Sequence, residues 1–197
     1  MTRPAGDCIR SADWSIQSVP THGETVRFIR THHYARGAPN TSTYRHGMYR
    51  IEFPPLVGDL AGVALWIPPT RAAGESIAGA EWQGVLCLSR LAIAPGVATN
   101  AASFLLGRSM RLIDRDRWPW LLTYADTALG HTGAIYKATN WTCLGPVNAG
   151  DTWTAPDGSQ RGRKRGGHTL LAADMLAAGY KRNAALPKIK FVHKAAA

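Results

Sequence analysis

The chain has 197 residues, of which 45% are hydrophobic and 18% are charged, and its formal net charge is +10 at pH 7. This composition is typical of a globular protein with one sizeable core, and it excludes an intrinsically disordered chain. No apolar run approaches the ~20 residues of a membrane-spanning helix and the N-terminus lacks a secretion signal, so we expect a cytoplasmic protein.

The first half of the chain is predicted to hold one helix and four strands. Thr21 followed by Glu24 forms a capping box, which indicates a helix that continues to about His32. Runs that alternate loosely or are nearly all apolar, mostly closed by proline or glycine, predict the strands. These strands are expected over residues 13–19, 44–53, 60–67 and 85–94.

The second half begins with a long amphipathic helix. Residues 100–115 place apolar side chains on one face at helical spacing and arginines on the opposite face. A short buried strand is then expected over 120–125, followed by a short helix that carries Tyr136 and a last strand over 141–146. This order predicts an α/β protein with a central mixed sheet and helices on both faces.

The C-terminal end is strongly basic. From Gly158 onward lie nine of the 23 Lys and Arg residues but one of the 13 Asp and Glu residues, with one short helix expected over 170–178. A basic segment after a near-neutral body indicates a polyanionic partner, and nucleic acid fits better than lipid because nothing suggests a membrane. The alternative is a tail that only improves solubility.

Several short segments lie in a characteristic order between residues 25 and 145. They are His32-His33-Tyr34, Leu88-Ser89-Arg90-Leu91, Asn100-Ala101-Ala102-Ser103, Tyr124-Ala125-Asp126, and Ile135-Tyr136-Lys137-Ala138 with Asn140-Trp141. Their order and spacing resemble the Mom family of DNA-modification proteins from Mu-like phages. The arrangement of elements is similar to the GNAT acyltransferase fold.

This resemblance implies an enzyme that converts adenine in DNA into N6-carbamoylmethyladenine, a glycinamide adduct that blocks host restriction enzymes. The implied partner is double-stranded DNA with a flipped adenine, in the host cytoplasm, and the fold also allows a homodimer. We therefore predict a GNAT-like catalytic domain at 1–157. The basic extension at 158–197 is predicted to pack on that domain and to contact DNA.

The donor site departs from that of acetyl-CoA-dependent members of the fold. Those members place a loop with two glycines at the N-terminus of the long helix, where bare backbone N–H groups meet a pyrophosphate. Here the residues from Gly96 to Ser103 are small, but the two glycines are missing. We predict that Ser89, Arg90, Asn100 and Ser103 line the donor site. Two donors are possible: an activated glycyl group, as a thioester or aminoacyl-tRNA, or an acyl-CoA.

Asp126 and Tyr136 are the first candidates for catalysis. Asp126 ends a buried strand, where its carboxylate could accept a hydrogen bond from adenine N6 and act as base, or simply cap the next turn. By the resemblance, Tyr136 matches a tyrosine that serves as general acid to the leaving group. The alternative is a half-buried aromatic side chain with a backbone partner. We predict that both residues face one crevice.

His33 and Tyr34 follow the first helix and are predicted to stack on or bond to the extruded base. The resemblance also brings the possibility of iron. For such a site His33 with a carboxylate such as Asp126 is preferred over the adjacent pair His32-His33, because neighbouring residues on a helix point in different directions.

Arg161, Arg163, Lys164 and Arg165 are predicted to form a flexible clamp on DNA phosphates. Upstream of them, Trp153 either wedges at the flipped base or belongs to the core. Two other functions remain open. One is a conventional acetyl-CoA-dependent N-acetyltransferase, and the other is a DNA-binding accessory protein without catalysis.

Overall fold

A computed structural model describes residues 8–51, 57–148, 151–158, 160–165, 168–183 and 187–195. The α-helices are α1 His22–His32, α2 Arg71–Ala78, α3 Ala101–Arg111, α4 Ala134–Lys137 and α5 Ala172–Ala177. The first strands are β1 Trp14–Ser18, β2 Tyr44–Ile51, β3 Val57–Ile67, β4 Val85–Ile93, β5 Trp120–Asp126 and β6 Thr142–Val147. The later strands are β7 Thr152–Thr154, β8 Gln160–Arg161, β9 Lys164–Arg165, β10 His168–Thr169, β11 Lys181–Asn183 and β12 Lys188–Lys194.

The main sheet has seven strands in the order β1-β2-β3-β4-β5-β12-β6. Strands β1 to β4 pair antiparallel with their neighbours, whereas β4 and β5 are parallel. The sheet is therefore mixed, which confirms the predicted fold class. Because strand β12 lies between β5 and β6, the C-terminal end of the chain contributes directly to the sheet.

Helices cover both faces of this sheet, as predicted. Helix α1 packs Phe28 and Ile29 into a core cluster with Val63 and Leu65 of β3. Helix α3 approaches the intervening positions of β3, because Leu105 lies against Gly62 and Ser109 bonds to Trp66. Side chains alternate between the two faces along a strand, so α1 and α3 lie on opposite faces.

Helix α1 begins as its capping box predicts, since the Thr21 side chain accepts a hydrogen bond from the Glu24 amide at 3.1 Å. Helix α3 ends at Arg111, four residues before the predicted end. The Asp114 carboxylate accepts from the amides of Asp116 and Arg117 at 3.1 Å. A side chain that bonds its own backbone in this way favours a turn over another helical turn.

Helix α2 and strand β12 were not predicted. Helix α2 follows a pair of prolines and contains the i,i+4 ion pair Arg71–Glu75, at 2.7 Å. In β12 the buried Phe191 and Val192 are flanked by lysines, so composition hides the strand in a segment that is basic throughout. None of the described helices is long and apolar enough to cross a membrane.

The chain forms two compact units. The first comprises Met1–Thr123, Gly133–Cys143 and Phe191–Ala197, and the second comprises Tyr124–Thr132 and Leu144–Lys190. Strands β7, β8 and β11 form a small sheet in the second unit, which also contains the antiparallel pair of β9 and β10. The predicted basic extension thus supplies residues to both units. Its predicted contact with DNA stays a prediction.

A buried polar group joins helix α3 to the sheet in the first unit. The Ser109 hydroxyl lies 2.7 Å from His46 Nδ1, and it accepts a hydrogen bond from Trp66 Nε1 at 2.8 Å. His46 is only 2% exposed, and burial lowers its pKa to about 4. The folded protein therefore holds this imidazole neutral across the physiological range.

Acid is expected to destabilise the protein through His46. Above pH 6.5 the folded and unfolded chains both hold it neutral; between pH 6.5 and about 4 only the unfolded chain gains the proton. Stability should fall over that window by up to about 3 kcal/mol. Urea unfolding at several pH values measures this. The variant His46→Gln, which keeps a polar partner for Ser109, should lose that part of the pH dependence, and equal pH slopes would contradict the assignment.

Candidate functional site

The parallel pairing of β4 and β5 ends early in the first unit. It joins Val85 to Trp120 and continues to Cys87 opposite Leu122, whereas β4 itself extends to Ile93. Just beyond the last pair, the buried Thr123 side chain donates a hydrogen bond to the carbonyl of Leu88 at 3.4 Å. A side chain thus replaces the backbone ladder at the point where the two strands stop pairing.

Tyr136 meets Thr123 at this point. It lies on the single turn of α4 and packs on Phe191 and Trp141, with ring centroids 5.1 and 5.8 Å apart. Burial raises the pKa of the Tyr136 phenol, and a hydrogen bond with the Thr123 side chain only partly opposes this. The phenol is therefore protonated at neutral pH, which is the form that can donate a proton.

Gly133 sets the start of the turn that carries Tyr136. Its φ of +76° is a left-handed conformation, and a Cβ built there would lie 2.2 Å from the Phe191 ring. Glycine alone meets both requirements, because it lacks the Cβ and adopts positive φ at no steric cost. Sequence analysis singled out Tyr136 but not this glycine, whose role depends on Phe191 some sixty residues later.

Tyr34 and Cys87 lie near enough to Tyr136 to raise its pKa further. The Tyr34 side chain is 54% exposed and stacks on His33, with ring centroids 4.2 Å apart. Burial raises the pKa of the Cys87 thiol to about 12, so that thiol is not a thiolate nucleophile at neutral pH. The residue that the structure adds at Tyr136 is Thr123, which no sequence pattern indicated.

The four predicted donor-site residues largely bond to the chain itself. Arg90 donates from Nε to the carbonyl of Gly37 at 2.8 Å and from Nη1 to the carbonyl of Ser89 at 2.7 Å. Asn100 accepts from the Ile9 amide at 2.7 Å, and the Ser103 hydroxyl donates to the Asn100 carbonyl at 3.0 Å. Asn100 precedes α3 without a side-chain bond to the first-turn amides. Donor binding by these residues stays a prediction.

Asp126 belongs to the second unit, where it caps the turn Thr127–Leu129. Its carboxylate accepts from the Ala128 amide at 3.2 Å and lies 3.4 Å from Lys188 Nζ. The capping interpretation of this residue is therefore correct. Its role as a base is untested, and so is its convergence with Tyr136, which belongs to the first unit.

The predicted phosphate clamp has regular structure in the second unit. Arg161 is exposed at the end of β8, and Arg163 Nη1 donates to the Leu170 carbonyl at 3.2 Å. Lys164 and Arg165 form β9, which pairs with β10. Trp153 is fully buried, so its proposed wedging at a flipped base is wrong and it is a core residue.

The described residues do not fit an iron site. Across the part of the chain that the structure describes, no three His, Cys, Asp or Glu side chains lie close enough together to hold a metal ion. His33, the predicted metal ligand, accepts a hydrogen bond at Nδ1 from the Ala35 amide at 3.1 Å.

Comparison with known proteins supports both the fold and the family. The model of the Mom protein family matches residues 13–179. The ribosomal-protein-S18-alanine N-acetyltransferase from Escherichia coli is 11% identical with a TM-score of 0.50, covering 92% of this chain and 93% of that one. An agmatine N-acetyltransferase mutant in its apo form is 11% identical with a TM-score of 0.51, covering 93% and 100%.

An N-acetyltransferase from Staphylococcus aureus Mu50 is 10% identical with a TM-score of 0.50, and the match covers 92% of this chain and 98% of that one. No curated protein sequence matches the chain. At such low identity, the solved structures establish that the fold is of the GNAT acetyltransferase type. They do not establish a substrate.

Proposed function

The chain belongs to the Mom protein family of phage DNA-modification proteins, and we propose that it converts adenine in DNA into N6-carbamoylmethyladenine, which protects the DNA from restriction enzymes. The observation that carries this proposal is the family match over residues 13–179 of a chain with a GNAT-type fold. The fold fits the proposal because its usual task is to move an acyl group onto an amine.

The proposed reaction begins with the transfer of a glycyl group to adenine N6. The base must leave the stack, since N6 is paired in a duplex. N6 attacks the activated carbonyl, an N–C bond forms, and the donor leaves with a proton. The glycyl amine then attacks C6 and closes a five-membered ring. Cleavage of the bond between C6 and the original N6 opens that ring, giving the carbamoylmethyl product without an oxidant.

Tyr136 is the residue that we assign to the departing donor. The leaving atom, a thiolate sulfur or a ribose oxygen, needs a proton as the tetrahedral intermediate collapses. Burial keeps the Tyr136 phenol protonated, and Thr123 holds its oxygen beside the end of the β4–β5 pairing. The exposed Tyr34 supplies a neighbouring aromatic face on which an unstacked base could rest.

An activated glycyl thioester or aminoacyl-tRNA is the proposed donor, with an acyl-CoA as the alternative. The glycyl donor supplies every atom that the product gains, whereas an acetyl group lacks the nitrogen. The amides at the start of α3 have no side-chain cap, and a helix N-terminus favours an anionic group. A phosphate of an aminoacyl-tRNA or of a CoA thioester would be held there.

Restriction digestion tests the proposed function. Plasmid DNA from cells that express the protein should resist several restriction enzymes whose sites contain adenine, and plasmid from cells without it should be cut. Because a covalent adduct survives deproteinisation, the resistance should persist after the protein is removed. Full cleavage of the purified plasmid would contradict the proposal, and resistance that disappears with the protein would indicate a DNA-binding accessory protein.

The variant Asp126→Asn tests in the same assay whether Asp126 takes part in the reaction. Asparagine caps a turn about as well as aspartate, so the contact with the Ala128 amide and the fold should be kept. The negative charge is lost. Loss of resistance at unchanged melting temperature would assign Asp126 to the chemistry, and wild-type resistance would leave it as a cap alone.

A further inference from the structure

A basic groove lies along helix α3 within the first unit, and Tyr136 is not among its lining residues. It has a volume of about 810 Å³ and runs between α3, the residues that follow α4, and the end of β12. Its α3 side carries Arg108 and Arg111, and Arg115 lies just beyond the helix. The opposite wall includes Asn140 and His193.

Among the residues that the structure describes, no carboxylate compensates the positive charge of this groove. None of its described lining residues is an aspartate or a glutamate. Arg108 and Arg111 are both exposed, and neither forms an ion pair with a carboxylate in the described parts of the chain. The Arg108 guanidinium lies over the Phe104 ring, 5.6 Å from its centroid, which holds that side chain at the groove.

Arg115 anchors the inner end of the groove. Its Nη2 donates to the Pro119 carbonyl at 3.0 Å and approaches the His193 carbonyl at 3.4 Å. Its Nε is buried without a hydrogen-bond partner among the described residues. Arg115 lines the groove, so its fixed positive charge favours an anionic ligand there.

We propose that this groove binds the phosphate backbone of DNA. Arg108 and Arg111 are three residues apart on α3, so their side chains lie on the same face of the helix. Each guanidinium can bind a phosphate of a DNA strand that lies along the groove. The inference rests on the proposed function, because it takes DNA as the partner, and it adds a contact besides the predicted clamp at Arg161–Arg165.

A simpler role for these arginines is stabilisation of the helix. Both lie in the last turn of α3, where cations interact favourably with the helix dipole. That role would make the arginines matter for folding and leave DNA binding unchanged. The two roles therefore predict different measurements.

The test is the affinity for a short fluorescein-labelled DNA duplex, measured by fluorescence anisotropy over a series of salt concentrations. The double variant Arg108→Gln/Arg111→Gln should bind about tenfold or more weakly at low salt. Its plot of log affinity against log salt should be shallower by about 2, since each lost phosphate contact releases about one counterion fewer. The double variant with lysines at both positions should recover the slope, because lysine keeps the charge.

The matched control is Arg27→Gln/Arg30→Gln. These arginines are also exposed, have the same spacing, and lie on α1, on the opposite face of the sheet. Their loss should leave the salt slope within about half a unit of wild type. Equal salt slopes for wild type and Arg108→Gln/Arg111→Gln would contradict DNA binding by the groove. The same conclusion would follow if the control pair lowered the slope as much as the groove pair. If wild type does not bind the duplex at all, the proposed function fails instead.

Discussion

Replacement of Tyr136 by phenylalanine is expected to lower the rate of adenine modification by roughly 10²- to 10⁴-fold, the usual contribution of a positioned general acid. The substitution removes only the hydroxyl. The ring contacts with Phe191 and Trp141 remain, so the fold should be retained. The measurement is the initial rate at which DNA gains the modified base, with the melting temperature as the check on folding.

The pH dependence of the modification rate is a second test of Tyr136 as the general acid. The active form of Tyr136 is protonated, and its pKa is raised above the usual 10 by burial. The wild-type rate should therefore hold through neutral pH and fall only above about pH 10, as the phenol loses its proton. Tyr136→Phe should lack this alkaline fall.

Tyr49→Phe is the matched control. Tyr49 is also a buried tyrosine, 5% exposed, but its hydroxyl has no partner among the described residues. Its loss should leave the modification rate within about twofold of wild type. A Tyr136→Phe protein that is as active as Tyr49→Phe would remove Tyr136 from the chemistry.

Gly133→Ala is expected to have the largest effect on stability, roughly 3 kcal/mol or more. The new Cβ would meet the Phe191 ring at 2.2 Å, and this ring is fully buried and has little room to move. Overpacking of this kind costs about 1–3 kcal/mol, and the left-handed backbone adds roughly 1–2 kcal/mol. Since Gly133 is the N-cap of α4, the phenol of Tyr136 should also be displaced and activity should fall.

The variant Gly130→Ala separates the cost of the left-handed backbone from the cost of the clash with Phe191. Gly130 has a φ of +72°, close to that of Gly133, but a Cβ there would contact nothing within 4 Å. Its cost should be the backbone strain alone, roughly 1–2 kcal/mol. Urea unfolding of both variants compares them directly. Equal losses of stability would show that the Phe191 contact contributes nothing.

Local signals in the sequence predicted the elements that they alone determine. The capping box of Thr21 and Glu24 located the start of α1, and the apolar runs of β3 and β4 located central strands of the sheet. Strand β12 was not predicted, because its sequence is rich in lysine and shows no local strand pattern. Its burial results from tertiary structure, since the strand lies between β5 and β6 in the sheet.

The candidate site also contains residues that the sequence predicted and residues that it did not. Tyr136 and Tyr34 were found through the order of short segments, whereas Thr123 was not. The importance of Thr123 arises from the end of the β4–β5 pairing, where its hydroxyl bonds to Leu88 and meets Tyr136. Likewise, Arg108 and Arg111 form an ordinary polar helix face in the sequence, and the walls of their groove come from residues far along the chain.

Mass spectrometry of nucleosides tests the central claim most directly. Preformed DNA is incubated with the protein in a cell extract that contains ¹⁵N-labelled glycine, and the DNA is then digested. We expect a nucleoside with the mass of the carbamoylmethyl adduct and one ¹⁵N, which remains on the base after mild hydrolysis of the carboxamide. Adenine that stays unmodified in the presence of active extract, or an adduct without the label, would contradict it.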